Sequence, residues 1–136
     1  MSRRTAREAA MKLMYEYGIT GILSINTLYE MPDILKVNKL SDENIEYVNH
    51  IIDSYPAWAE EIDQKIEKYS IGWNISRISK VDLAILRLAF FEILDAETPH
   101  NILVNEAVDL AKKYSSPKAP SYINGVIGGY LKENFS

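Results

Sequence analysis

Three guanidiniums open the chain, at Arg3, Arg4 and Arg7, and a phenol ring follows at Tyr15. Guanidiniums hold phosphates through paired hydrogen bonds, and an aromatic ring offers a stacking face to an unpaired base. In a helix stepping about 100° per residue, Ala6, Ala9, Ala10, Leu13 and Tyr17 share one apolar face. Arg7, Met11, Arg4 and Tyr15 fall roughly 100–180° away from Ala6, as one outward stripe with spacing i, i+3, i+7 and i+11. The stripe presents two cations and a ring to a flexible anionic polymer, and stacking contributes roughly 1–3 kcal/mol per base. The same spacing suits a plainer arrangement, with Tyr15 packed on a neighbouring helix and the arginines merely solvated.

Other chemistry is thinly represented. The chain has no cysteine, which excludes disulfide scaffolds, thiolate zinc sites and cysteine nucleophiles. His50 and His100 lack partners at metal-ligand spacing. Gly125, Gly128 and Gly129 lie inside an apolar helical pattern and not in a phosphate-cradling loop. No serine stands in a recognisable nucleophile motif, so neither catalysis nor a cofactor is expected. Arg87 and Glu92 interrupt an otherwise apolar segment and sit about 140° apart on a helix, too far round to pair with each other. Each needs a partner on another helix, for instance Arg87 with Glu106 or Asp109, because an unpaired buried charge is very costly. Asp82, in the first turn of that segment, suits the helix dipole; exposed, it can also accept a hydrogen bond from a base amino group.

The elements that position these residues read as helical nearly throughout. Residues 4–17 form a first helix that Gly18 is expected to stop, and Ser24 to about Met31 forms a short second one ended by Pro32. Ser41 caps a stripe of Ile45, Val48, Ile52 and Tyr55 that reaches Pro56. Trp58, Ile62, Ile66 and Tyr69 continue it, either beyond a kink or as a separate helix. Residues 70–79 are a connector. The segment Lys80–Asp95 is apolar all round, which marks a helix buried all round. Leu103 to Tyr114 gives an amphipathic helix whose Asp109 and Lys113 stand at i,i+4. A polar loop leads to a last helix from Ser121 that buries Tyr122, Val126 and Tyr130. The expected fold is all-α, a bundle of six to seven helices, arranged as two three-helix subbundles around the buried central helix.

The 136 residues suit one domain spanning 1–136, and 47% apolar content suffices for a sizeable core. No apolar run approaches the ~20 residues of a membrane span, and the chain reads as soluble and cytoplasmic. The net charge is −4. Arg3, Arg4, Arg7 and Lys12 against Glu8 alone leave residues 1–12 at +3, so the rest carries −7. A small basic end on an acidic body points to a confined anion-binding patch, although a solubilising terminus has the same composition.

Three segments together resemble the NusB family of bacterial transcription antitermination factors. They are Arg3 to Tyr15 (RRTAREAAMKLMY), Val81 to Leu94 (VDLAILRLAFFEIL), and Val104 to Tyr114 (VNEAVDLAKKY) leading to Tyr122-Ile-Asn-Gly-Val126. The resemblance implies a small non-enzymatic RNA-binding protein that pairs with the ribosomal small-subunit protein acting as NusE. The pair is expected to bind the single-stranded boxA element of nascent ribosomal RNA and to help RNA polymerase resist termination. Carried over by position, the family's RNA-contacting residues fall on Arg3, Arg4, Arg7, Tyr15, Asp82 and Tyr122, the last where the family usually has Phe. Relatives commonly carry an acidic residue near Lys118; a lysine there adds phosphate attraction and joins the expected RNA-binding set. The alternative is a protein-interaction module without RNA binding, such as a homodimer that hides this face.

Overall fold

The computed structural model describes residues 3–26, 41–72, 74–95 and 98–135. Among these lie five α-helices: α1 (Arg3–Thr20), α2 (Asp42–Tyr69), α3 (Lys80–Asp95), α4 (His100–Tyr114) and α5 (Ala119–Phe135). A single 3-10 turn, Ile75–Arg77, precedes α3. The fold is all-α, as expected, with five helices among the described residues against the six to seven expected, and one helix end differs. Gly18 does not stop α1, which runs on to Thr20; Gly21 ends it, adopting φ 77° and donating its N–H to the Tyr17 carbonyl at 2.8 Å. Of the two readings left open at Pro56, the structure takes the continuous one: Asp42–Tyr69 is a single helix capped by Ser41. Most of the expected Ser24–Met31 helix lies outside the described residues.

α2 starts where Ser41 Oγ accepts from the Asn44 N–H at 3.2 Å, with Asp42 and Glu43 in the first turn facing the positive end of the helix dipole. It continues through Pro56, which cannot donate a backbone bond. Pro56 is exposed, so the missing bond falls on the solvent side. Val48, Ile51, Tyr55, Ile62 and Ile66 are all buried and hold the two halves of the helix on one line.

Every residue of α3 from Leu83 to Ile93 is buried, and α3 touches each of the other four helices. Its polar residues are satisfied as the sequence required, by partners the sequence did not reveal. Arg87 makes a fork with Asp63 of α2, Nε to Oδ1 and Nη2 to Oδ2 both at 2.9 Å, in place of Glu106 or Asp109. Glu92 accepts from Arg7 Nε at 2.9 Å and from the Tyr47 hydroxyl at 2.9 Å. Around α3, Phe90 and Tyr130 meet edge to face with ring centres 5.1 Å apart, and Tyr130 meets Tyr69 in the same way at 5.6 Å.

In α5 the buried stripe is Ile123, Val126, Ile127 and Tyr130; Tyr122, expected within it, is only half-buried. Gly128 is exposed within this helix, and a Cβ there would meet nothing within 4 Å. Gly128→Ala is therefore expected to stabilise the protein by about 0.5–1 kcal/mol, read as a raised midpoint in denaturant unfolding. Among the described residues no helix is long and apolar enough to cross a membrane.

Candidate nucleic-acid interface

The cations of α1 do not form the expected stripe. Arg3 turns towards α2, where its Nε donates to Asn44 Oδ1 at 3.1 Å and its guanidinium lies 4.3 Å from the centre of the Tyr47 ring. Arg4 is exposed and spans to α4, donating to Glu106 at 3.2 Å and to Asp109 at 3.4 Å. Arg7 is only 6% exposed and Met11 only 3%. This corrects the outward placement of Arg7: α1 packs against α2 and α3 together, so a residue about 100° from the centre of its apolar face is enclosed. Burial pulls the Arg7 pKa down, but the hydrogen bond and charge of Glu92 outweigh it and leave the group raised. Arg7 thus belongs to the interior, joining α1 to α3 and, through Glu92, to Tyr47 of α2. Tyr15 is half-buried and packs on the main core.

The other three expected residues converge elsewhere. Asp82, Lys118 and Tyr122 line one cleft of about 340 Å³ where the starts of α3 and α5 meet. Ser79 places Asp82 by accepting its backbone N–H at 3.1 Å, which also caps α3. The Ser115 hydroxyl donates to Asp82 Oδ1 at 2.6 Å, tying the end of α4 to the start of α3. The Tyr122 hydroxyl meets Ser70 Oγ, the buried C-cap of α2, at 2.5 Å. Burial raises the Tyr122 pKa, the bond with Ser70 partly lowers it, and the charge of Asp82 raises it again, so the phenol is neutral at physiological pH.

The sequence reading passed over Arg77, which also lines the cleft and is exposed. It lies in what reads as a connector; the available signal was a cation just ahead of the Ser79 cap, opposite a loop carrying Lys118. Lys80, at the first position of α3, is exposed beside them. On the α1 side, Lys12 places its ammonium 5.5 Å from the centre of the Tyr114 ring, whose hydroxyl donates to Glu8. Since Ser115 follows Tyr114 and bonds Asp82, Lys12 stands near the same end of the molecule. The cleft thus combines an aromatic ring, a carboxylate that accepts hydrogen bonds, and cations around the rim. Such a set suits an unpaired base with its flanking phosphates.

The chain as a whole has known relatives. Residues 4–132 match the NusB family. The transcription antitermination protein NusB of Clostridium novyi (strain NT) is 42% identical over 139 residues, which cover 97% of this chain and 99% of that protein. The protein of the same name from Natranaerobius thermophilus is 45% identical over 130 residues, covering 93% of this chain and 92% of its own length. A solved chain from a crystal structure of the antitermination factors NusB and NusE in complex with double-stranded RNA superposes with a TM-score of 0.79. It is 28% identical, and the match covers 96% of either chain. With a family match over almost its full length and relatives above 40% identity from end to end, the chain belongs to the NusB family.

Proposed function

We propose that the chain is a transcription antitermination factor that binds a single-stranded boxA-like segment of nascent ribosomal RNA together with the ribosomal protein acting as NusE. It acts in the cytoplasm as an adaptor without catalytic activity, helping RNA polymerase resist termination. The observation that carries the reading is the cleft, where Asp82, Lys118 and Tyr122 stand with Arg77 on one surface. Lys118 and Arg77 supply phosphate contacts, Tyr122 a stacking face, and Asp82 an acceptor for an exocyclic amino group. Curated relatives named transcription antitermination protein NusB support the role, and a similar solved chain occurs with NusE and RNA. The RNA in that complex is double-stranded, whereas a stacking ring in a cleft of this size favours an unpaired base.

A basic patch this small holds few phosphates, so RNA binding by the isolated chain is weak and a partner must add to it. Fluorescence anisotropy with a labelled boxA-like single strand tests this. The expected outcome is affinity at least about tenfold higher, ~1.4 kcal/mol, with the NusE-type protein present. Equal affinity with and without it would remove the two-part mechanism.

A further inference from the structure

At the opposite end of α3 from the cleft lies a second concavity of different character. It is a groove of about 330 Å³ between the start of α1, the first half of α2 and the end of α3. The partly exposed Tyr47 ring lines one side, Phe91 closes the floor with only 1% of its surface exposed, and Glu43, Glu46 and Asp95 contribute carboxylates. His50 also lines it, with Nε2 2.6 Å from Asp95 Oδ2 and its ring 6.0 Å from that of Phe91. The surrounding surface has the same sign. Between Asp42 and Asp63 the sequence holds seven carboxylates and neither lysine nor arginine. Six of the seven are exposed, and Asp63 is taken up by Arg87.

The groove already holds one guanidinium, its own. Arg3 lies against the Tyr47 ring at 4.3 Å and within 3.5 Å of Glu43 Oε1, the cation-on-ring and cation-on-carboxylate arrangement by which arginine is recognised. Glu46 and Asp95 carry carboxylates along the rest of the groove, Asp95 bonded there to His50 and not to Arg3.

We infer that this groove docks an arginine- or lysine-bearing segment of a protein partner, with a cationic side chain laid beside the Arg3-covered Tyr47 ring among Glu43, Glu46 and the Asp95 carboxylate that His50 bonds. Charge complementarity fixes the occupant. The carboxylates repel a phosphate backbone, so RNA is excluded, and an acidic peptide is excluded for the same reason. Asp82 and Asp95 are thirteen residues apart on one helix, about 20 Å at 1.5 Å per residue. A protein segment in the groove and a nucleic acid at the cleft can therefore be held at once. The inference stands on the groove alone and does not depend on the RNA reading.

The test is an amide-shift titration of the full chain with an arginine hexapeptide, with a glutamate hexapeptide and a short single-stranded RNA as controls. The arginine peptide is expected to give saturable shifts at Tyr47, His50 and Phe91, and neither control is expected to move them. Glu43→Gln/Glu46→Gln/Asp95→Asn is expected to weaken the peptide at least about tenfold. Asp53→Asn/Glu60→Gln/Glu61→Gln, which removes as many carboxylates from elsewhere on α2, should change its affinity less than about threefold. Equal weakening by the two triple variants, shifts spread along α2 without saturation, or no binding at all would each overturn the groove as a docking site.

Discussion

Arg7→Ala is expected to destabilise the protein by about 3–5 kcal/mol, the largest effect of any single surface-to-core charge in α1. The guanidinium and the Glu92 carboxylate are both almost fully enclosed, with side chains 8% and 5% exposed. Removing Arg7 leaves Glu92 in the interior with the Tyr47 hydroxyl as its donor among the described residues, and the desolvation of a carboxylate is not offset by a neutral hydrogen bond. For a chain of this size the midpoint of thermal unfolding should fall by roughly 10–20 °C. Arg7→Met/Glu92→Leu/Tyr47→Phe removes all the polar partners together and should recover to within about 1–2 kcal/mol of the parent. Denaturant unfolding of the single and triple variants checks both statements. A small loss for Arg7→Ala would mean that Glu92 reaches water, contrary to its burial.

Tyr122→Ala should weaken single-stranded RNA binding by 1–3 kcal/mol, roughly 5- to 150-fold, if the ring stacks on a base. Tyr122→Phe keeps the stacking face and gives up the bond to Ser70, so it should stay within about threefold of the parent. The two contributions separate in salt. Tyr122→Ala changes affinity at every ionic strength but leaves the slope of log affinity against log salt unchanged. Lys118→Ala should reduce that slope by about 0.7, the value for one phosphate on a single strand. Anisotropy titrations at four or five salt concentrations measure both. A Tyr122→Ala variant that binds as well as the parent would place the base elsewhere.

The fold was legible because the buried helix α3 announces itself by composition: Leu83 to Ile93 leaves no polar face for solvent. That Arg87 and Glu92 must be paired was equally legible, since it follows from burial alone. Their partners were not. Asp63 and Arg7 lie on elements whose relative placement depends on long-range packing, and one-dimensional periodicity carries no information about it. Arg7 sat at the margin of the α1 apolar face, where the outcome turns on how many neighbours α1 has. For Tyr122 the periodicity and the resemblance pointed opposite ways, interior and surface: Ile123 takes the interior place, and the half-buried ring is left at the rim beside Asp82. Pro56 was ambiguous because a proline on the exposed side of a helix loses little, and only the packing of Tyr55 and Ile62 on the other side decides for continuity.

The charges linking α1 and α4 have a further consequence. Arg4 reaches Glu106 and Asp109, and Glu8 meets Lys113 and Tyr114, so the two helices run parallel with signs alternating along their length. As exposed pairs they add little stability. Their effect is on register. Sliding α1 by one turn, about 5.4 Å, brings Arg4 against Lys113 in one direction and Glu8 against Asp109 in the other. Both misalignments juxtapose like charges, so the ladder opposes the same axial shifts of α1 that would pull Arg7 away from Glu92 and displace Met11, Leu13 and Met14 from the core.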